Sequence, residues 1–262
     1  TVLRTLRNVL DNAGYTEVET PTCRALPVVL LPAFITHFNA LDQDMYMRIA
    51  TELIEALIVV VFEGVYEIGK NFRNEGMDRN HNPEFTCMEL YVQYKDYNDD
   101  GIHREVARDY LYRCQRQARG VRLRQHHQLK VPYRRLPILD AIKEKTGFDC
   151  NGKTEEEIRA FCKEKGMDVD ETMGKGKLID ELFGEFCEGT FLQPTFITDY
   201  PVEMSPLTKM HRSKPGLTER FELMVNGKEL ANAYSELNDP IDQEERFIDQ
   251  MKLADKGDDE AM

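Results

Sequence analysis

The stretch EGVYEIGKNFRNEGMDRNHNPEFTCMELYVQY, residues 63–94, consists of two alternating runs joined by a highly charged connection. Alternation of apolar and polar residues is typical of half-buried β-strands, so we predict a hairpin with strands over 65–74 and 85–94. The connection, FRNEGMDRNHNPEFT (72–86), carries far more charge than a hairpin turn of about two to five residues needs. We therefore expect this loop to bind a charged ligand.

Side chains on the second run alternate between the two faces of the predicted sheet. One face is apolar and is predicted to lie in the core; its residues are Thr86, Met88, Leu90, Val92 and Tyr94. The opposite face sets a carboxylate between aromatic rings; its residues are Phe85, Cys87, Glu89, Tyr91 and Gln93. On the first run, Arg73 and Glu75 share a face, so we expect one surface to offer a guanidinium, carboxylates and aromatic rings.

A second hairpin is predicted in FELMVNGKELANAYSEL (221–237), because Asn226-Gly227 is a strong signal for a two-residue turn. Regular pairing across that turn sets Met224 opposite Glu229 and Glu222 opposite Ala231. Glu222 and Glu229 then become diagonal neighbours on one face.

The two carboxylates of the second hairpin should repel each other, so a compensating cation is expected. Mg²⁺ suits such a pair, because it takes one or two protein carboxylates and completes its shell with water and phosphate oxygens. An acidic pair exposed to solvent explains the pattern equally well at this stage. Asn232 and Glu236 have the opposite parity to Glu229, so they share its face only if a bulge lies between Glu229 and Asn232.

The rest of the chain mixes helices and strands. We predict a helix over 2–13 that ends near Gly14, a short strand before Pro21, and a helix over 53–62. Residues 138–190 read as short helices separated by glycine, which indicates a small helical insertion within one domain over 1–262. The fold class is therefore predicted to be α+β with an antiparallel sheet flanked by helices.

The amino-acid composition excludes several classes of protein. The chain has 262 residues, of which 41% are hydrophobic and 31% charged, and no apolar run approaches the roughly 18 residues of a membrane span. Six scattered cysteines without ligand spacing predict reduced thiols in a cytoplasmic protein. The net charge of −13 argues against nonspecific nucleic-acid binding over the whole surface.

The charged loop resembles motif 2 of the class II aminoacyl-tRNA synthetases, and RNEG with HNPEFT is similar in particular to the lysyl-tRNA synthetases. Further blocks resemble the same family in the same order: TLRNVLDNAGYTEVETP, ITHFNALDQDMYMRIATEL, YRRLPILDAI, ITDYPVEMSPLTK and GKELANAYSELNDP. The first of these is similar to motif 1, which implies a homodimer interface over about residues 2–21.

The resemblance implies a set of ATP ligands. Arg73 is expected to bridge the α-phosphate of ATP and the carboxylate of the amino acid. Phe85 is expected to stack on adenine and Glu75 to contact its amino edge, with His81 and Asn82 near the phosphates and ribose.

The resemblance also implies a lysine pocket and a metal site. Glu52 is expected to bind the α-amino group of lysine, and Asn232 to lie near its carboxylate. Glu89, Tyr91 and Glu236 are expected to surround the side-chain ammonium, which favours a cationic substrate and rejects a carboxylate. The same resemblance assigns Mg²⁺ to Glu222 and Glu229, in agreement with the hairpin argument. The implied reaction uses ATP, lysine and tRNA.

The chain also departs from the family pattern. It is expected to lack motif 3 and the N-terminal anticodon-binding domain, so residues 1–262 alone should be impaired in adenylate formation. Residues 28–33, 54–61 and 99–131 do not match the family. Two other hypotheses stay open: a lysine-activating paralogue that modifies a protein, and an inactive synthetase-like module used for dimerisation or regulation.

Overall fold

The computed structural model describes residues 2–25, 33–51, 61–78, 81–98 and 132–254. Nearly all of the helix predicted over 53–62 and of the three unmatched stretches lies outside these residues. The chain divides into two compact units, Thr1–Lys95 and Asp96–Ala261, and each is described by itself.

The first unit begins with helix α1, Val2–Asn12, whose Leu10 is fully buried. Gly14 follows with φ of +85°, a backbone conformation that glycine adopts without strain. The predicted end of this helix near Gly14 is confirmed. The strands of the unit are β1 Thr16–Glu17, β2 Cys23–Arg24, β3 Ile35–Phe38, β4 Gln43–Met47, β5 Gly64–Phe72 and β6 Glu84–Val92.

The described strands of this unit form two three-stranded sheets, with the orders β1-β5-β6 and β2-β4-β3. β5 and β6 pair antiparallel over nine residues each, from Gly64 opposite Val92 to Phe72 opposite Glu84. The predicted first hairpin is therefore confirmed. β1 joins the edge of β5 in parallel, and this confirms the short strand before Pro21.

The ends of the first hairpin differ from the prediction. β5 ends at Phe72, so the argument that placed Arg73 and Glu75 on one strand face is wrong, although the amide of Arg73 still donates to the carbonyl of Pro83 at 2.9 Å. Tyr94 was predicted to lie in the core, but it is fully exposed with φ of +55°. A left-handed residue directs the chain away from the strand, so strand alternation does not extend to Tyr94.

The second unit contains a four-stranded sheet with the order β10-β9-β8-β7. Its strands are β7 Arg134–Pro137, β8 Thr195–Thr198, β9 Arg220–Val225 and β10 Lys228–Tyr234. Its helices are α2 Ile138–Thr146, α3 Glu155–Glu164, α4 Lys175–Phe186 and α5 Pro240–Ala254, with short 3-10 turns at Glu188–Thr190 and Val202–Met204. Helices α2 to α4 fall within 138–190, as the glycine-separated pattern predicted.

Helices α2 to α4 share one apolar core with the sheet. Ile142, Ile158 and Leu178, one from each helix, belong to the same buried cluster as Ile197 of β8 and Met224 of β9. The start of α3 is stabilised by a capping box, in which Thr154 and Glu157 satisfy each other's backbone N–H groups. This core therefore contacts β9, the strand that carries Glu222.

The predicted fold class is confirmed. Among the described strands, all pairs are antiparallel except β1–β5 and β7–β8, and helices flank the sheets. Within the described part of the chain, no helix has the length and apolar character that crossing a membrane requires. The five cysteines in that part are free thiols, as predicted for them.

Candidate active site

The polar face of the first hairpin carries the predicted adenine platform Phe85 and two predicted lysine ligands, Glu89 and Tyr91. On β6 this face consists of Phe85, Cys87, Glu89 and Tyr91, and the register sets Asn71, Gly69, Glu67 and Val65 of β5 opposite them. The guanidinium carbon of Arg73 lies 5.4 Å from the centroid of the Phe85 ring. This cation–π distance shows that a predicted phosphate ligand and the predicted adenine platform are adjacent.

Within the charged loop, Asp78 and His81 form a hydrogen-bonded pair. Asp78 accepts from the amide of His81 at 2.7 Å, and its other carboxylate oxygen lies 2.9 Å from Nδ1 of His81. Glu75, His81 and Asn82 are all exposed. The imidazole of His81 is therefore oriented by Asp78, and the loop presents polar groups to solvent beside Arg73 and Phe85.

Cys87 lies between Phe85 and Glu89 on the polar face. Its thiol lies 3.5 Å from a carboxylate oxygen of Glu89 and is placed to donate to it. Burial, and then the charge of Glu89, raises the pKa of the Cys87 thiol to about 12. Cys87 therefore stays protonated near neutral pH and acts as a weak donor to Glu89, with Tyr91 next on the same face.

A buried ion pair lies beside Glu89. Arg48, just past β4, contacts Glu67 of β5 with Nη1 2.5 Å from Oε1, and both side chains are less than 5% exposed. The other oxygen of Glu67 accepts from the amide and the hydroxyl of Thr20, at 2.9 and 2.7 Å. Arg48 also donates to the carbonyl of Lys70 at 2.9 Å. These bonds give both buried charges hydrogen-bond partners within the protein.

Gly69 makes room for this pair. A Cβ at residue 69 would overlap Nη2 of Arg48 and would lie 2.9 Å from Oε1 of Glu67. The guanidinium therefore occupies the space that any other side chain at this position would fill. Because Gly69 is paired with Cys87, the guanidinium lies on the polar face, beside the residues predicted to bind substrate.

The second hairpin brings the other predicted site residues together through a bulge. Met224 lies opposite Glu229 as predicted, but Glu222 lies opposite Asn232 and not opposite Ala231, because the register shifts between Glu229 and Ala231. The regular pairing predicted for Ala231 is therefore wrong, whereas the bulge required for Asn232 is confirmed. Glu222, Glu229 and Asn232 consequently share one face.

Arg220 supplies a cation to this face. Its Nη2 donates to Glu222 at 2.6 Å, and its Nε donates to the side-chain oxygen of Asn232 at 3.1 Å. Its guanidinium also lies 4.4 Å from the centroid of the Tyr200 ring. Burial, and then the charge of Glu222, raises the pKa of Tyr200 well above its usual range. The side-chain oxygen of Asn232 accepts from Arg220, so the NH₂ group is the end of the amide that can still donate.

The chemistry of this face fits Mg²⁺. Two carboxylates on adjacent strands offer hard oxygen ligands, and Mg²⁺ fills the remaining positions with water and phosphate oxygens. Within the described residues, no cluster of three or more His, Cys, Asp or Glu side chains could hold a metal by itself.

The remaining predicted residues are Glu236 and Glu52. Glu236 is exposed just past β10 and forms a β-bridge with Thr208. Glu52 lies outside the described residues. The predicted set is therefore divided: Arg73, Glu75, His81, Asn82, Phe85, Glu89 and Tyr91 belong to the first unit, and Glu222, Glu229, Asn232 and Glu236 to the second.

Reasoning from the sequence missed the buried network of Arg48, Glu67 and Thr20 and also missed Gly69 and Arg220. Arg220 could have been found, because it precedes Glu222 by two residues and strand alternation sets both on one face. Arg48 carries only a weak signal, a single charge in the apolar run MYMRIA. The need for glycine at position 69 becomes visible only when the guanidinium of Arg48 is placed.

Comparison with known proteins relates the whole chain to one family. The family model described as tRNA synthetases class II (D, K and N) matches residues 1–262. A protein named lysine–tRNA ligase from Porphyromonas gingivalis (strain ATCC BAA-308 / W83) is 56% identical over 268 residues, which cover 100% of this chain and 46% of that protein.

Two further relatives carry the same name. The protein from Christiangramia forsetii is 58% identical over 263 residues, covering 98% of this chain and 46% of its own length. The protein from Azobacteroides pseudotrichonymphae is 50% identical over 266 residues, covering 100% of this chain and 53% of its own length. The chain thus spans about half the length of the relatives it matches. With the family model matching from the first residue to the last, the chain belongs to the class II tRNA synthetases of the D, K and N group.

Proposed function

We propose that the protein containing this chain is a lysine–tRNA ligase, which activates lysine with ATP and transfers it to the 3′ end of tRNA. The observation that carries this proposal is the identity of 56–58% to proteins of that name over essentially the whole chain. The carboxylate and aromatic groups on the polar face of the first hairpin are consistent with a cationic amino acid as the substrate. The lysine carboxylate attacks the α-phosphorus of ATP, forming lysyl-adenylate and releasing pyrophosphate.

The first hairpin is proposed to bind ATP. Arg73 neutralises charge on the α-phosphate and orients the attacking carboxylate, and Phe85 stacks on adenine. Support comes from the position of the Arg73 guanidinium near the Phe85 ring. Glu75 contacts the amino edge of adenine, and His81 and Asn82 act near the phosphates and ribose. Such chemistry relies on positioning and charge neutralisation more than on a nucleophilic side chain.

Lysine is proposed to be selected by charge. Glu89, Tyr91 and Glu236 bind the side-chain ammonium, with Glu52 on the α-amino group and Asn232 near the α-carboxylate. The donor orientation of Asn232 set by Arg220 supports its role. A neutral side chain would gain no attraction from these carboxylates and an acidic one would be repelled by them, so both should bind more weakly than lysine.

Glu222 and Glu229 are the residues proposed to hold Mg²⁺. When bound, Mg²⁺ neutralises charge on the phosphate oxygens of ATP. Arg220 holds one oxygen of Glu222 in a fixed direction. The carboxylate of Glu222 is therefore already oriented by Arg220 and does not have to reorganise when a ligand binds.

The protein is further proposed to be a cytoplasmic homodimer that associates through residues 2–21. Two observations support this proposal: Val2 and Leu3 of α1 are exposed apolar residues, and the cysteines of the described part are free thiols.

Lysine-dependent exchange of pyrophosphate into ATP, measured on the whole protein that contains this chain, tests the proposal. Exchange followed by charging of tRNA is expected. Exchange without tRNA charging would select a paralogue that modifies a protein, and absence of exchange would select an inactive module. Aspartate and asparagine serve as control amino acids, because the family includes enzymes for both.

A further inference from the structure

The hydroxyl group of Tyr200 has no role in the ligand sets proposed above. The side chain is only 2% exposed, and within the described part of the chain its hydroxyl has no hydrogen-bond partner. Buried polar groups are nearly always hydrogen-bonded, because a donor that leaves water without finding a new partner destabilises the fold. A partner that arrives with a ligand would account for such a group.

Tyr200 adjoins the carboxylate face of the second hairpin, which is formed by Glu222, Glu229 and Asn232. The guanidinium carbon of Arg220 lies 4.4 Å from the centroid of the Tyr200 ring. Burial raises the pKa of Tyr200 well above its usual range, and the charges of Glu222 and Glu229 raise that pKa further. Because both charges act on the phenol, it lies near both of the proposed metal ligands.

The neighbouring side chains do not satisfy this hydroxyl. Oε1 of Glu222 accepts from Nη2 of Arg220 at 2.6 Å, and the approach of Glu222 to the phenol lacks the geometry of a hydrogen bond. Arg220 cannot substitute for the carboxylate, because a guanidinium carries donors and no acceptor. The raised pKa keeps the phenol protonated at neutral pH. Tyr200 therefore offers a donor at this face.

Backbone bonds hold Tyr200 in this place. The amide and the hydroxyl of Thr218 both donate to the carbonyl of Tyr200, each at 2.8 Å. The amide of Asp199 donates to the carbonyl of Arg220 at 3.1 Å. These bonds join the residue to the segment that leads into β9, so the position of the phenol does not depend on a ligand.

Resting on the proposed lysine–tRNA ligase activity, we propose that Tyr200 is a further nucleotide-binding residue, whose hydroxyl donates to a phosphate oxygen of the magnesium–ATP complex at the carboxylate face. A hydrogen bond to a charged oxygen is stronger than one between neutral groups. The carboxylates of Glu222 and Glu229 repel a bare phosphate, so the bond requires the Mg²⁺ that they are proposed to hold.

The stability of the ligand-free protein provides the first test. Tyr200→Phe removes the hydroxyl and keeps the ring beside Arg220. Without Mg²⁺, ATP and lysine, the midpoint of its chemical denaturation should equal or exceed that of the wild type, because the lost group had no partner. Tyr97→Phe is the matched control in the same unit, since that hydroxyl donates to Asp199 at 3.3 Å and lies 3.1 Å from Nε2 of His211.

The control Tyr97→Phe should lower the denaturation midpoint, because it leaves groups that were hydrogen-bonded without a partner. If Tyr200→Phe lowers the midpoint as far as Tyr97→Phe does, the Tyr200 hydroxyl already has a partner in the ligand-free protein. That result would overturn the inference.

Nucleotide binding to the whole protein, measured by calorimetry without lysine, provides the second test. Tyr200→Phe is expected to raise the Kd of magnesium–ATP by about tenfold, as for the loss of one hydrogen bond to a charged acceptor. The Kd of adenosine, which has no phosphate oxygens, and the Kd of lysine should each stay within about twofold of the wild type. An unchanged Kd of magnesium–ATP, or an equal rise for adenosine, would contradict the inference.

The two tests separate a failure of this inference from a failure of the proposed function. Wild-type protein that binds magnesium–ATP but shows no lysine-dependent pyrophosphate exchange would refute the lysine–tRNA ligase activity, and the two comparisons would still decide the role of Tyr200. A merely structural hydroxyl, bonded to Glu222 or to a trapped water, predicts a destabilised Tyr200→Phe that binds magnesium–ATP normally. That combination in an active enzyme would refute the role of Tyr200 alone.

Discussion

Asn232 lies directly opposite Glu222 in the pair β9–β10, because a bulge between Glu229 and Ala231 shifts the register by one residue. Arg220 contacts both side chains, at 2.6 Å to Glu222 and 3.1 Å to Asn232. A carboxylate, an amide and a guanidinium are thereby held on one strand face. The bulge thus gathers groups that regular alternation would have divided between two faces.

Arg220→Met should destabilise the second unit, because it leaves the mostly buried Glu222 without its cation. A loss of about 2–4 kcal/mol in the free energy of unfolding is expected, measured by chemical denaturation without Mg²⁺. Arg134→Met is the control, since its pair with Glu144 is half-exposed and should contribute at most about 1 kcal/mol. Equal losses in the two variants would show that the Arg220–Glu222 pair acts only as a surface ion pair.

Arg73→Ala should reduce lysine-dependent pyrophosphate exchange by about 100-fold or more, because it removes the cation proposed to neutralise the α-phosphate. Lys70→Ala is the control on the same hairpin, where the lysine forms an exposed ion pair with Glu84 at 3.0 Å. This control should keep exchange within about threefold of the wild type. Retained exchange in Arg73→Ala would remove Arg73 from the ATP site.

Glu236→Gln should raise the KM for lysine by about tenfold and leave the KM for ATP within about twofold, because only the ammonium loses a charged partner. Both constants come from pyrophosphate exchange on the whole protein. Glu244→Gln, an exposed carboxylate of α5, should leave both constants unchanged. If the lysine KM of Glu236→Gln equals that of the wild type, Glu236 does not belong to the lysine pocket.

The ion pair of Glu219 with Arg212 should make the stability of the second unit depend on pH. Arg212 donates to its carboxylate at 2.5 and 2.9 Å, and this holds the pKa of Glu219 below its ordinary value of 4.5. A carboxyl with a lowered pKa in the folded state stabilises the fold above its ordinary pKa. That contribution disappears as the pH falls through the folded-state pKa.

Glu219→Gln should therefore lower the free energy of unfolding by about 1.5–3 kcal/mol at neutral pH and by clearly less at about pH 3. Chemical denaturation at both pH values measures the difference, with the exposed carboxyl of Glu185 substituted by glutamine as the control. A difference between wild type and Glu219→Gln that does not change with pH would contradict the assignment.

Local patterns in the sequence predicted much of the fold. Alternation and the Asn226-Gly227 turn are properties of neighbouring residues, so the presence of both hairpins was predicted correctly, although the pairing of Ala231 and the strand ends of the first hairpin were not. Glycine-separated helical runs predicted α2 to α4 in the same way. Prediction failed at the ends of strands, as for Tyr94, because the backbone conformation that ends a strand depends on the residues that follow it.

The sequence by itself thus determined the α+β class, the charged loop and its family. The motifs and the alternation along each strand depend only on residues that are close together in the sequence. Only the tertiary structure decided that Arg48, Glu67 and Thr20 form one buried network, and that Gly69 leaves room for a guanidinium. These residues come from three separate segments, and their pairing depends on how strands and loops pack. The charge of a buried group is set by the neighbours that packing supplies.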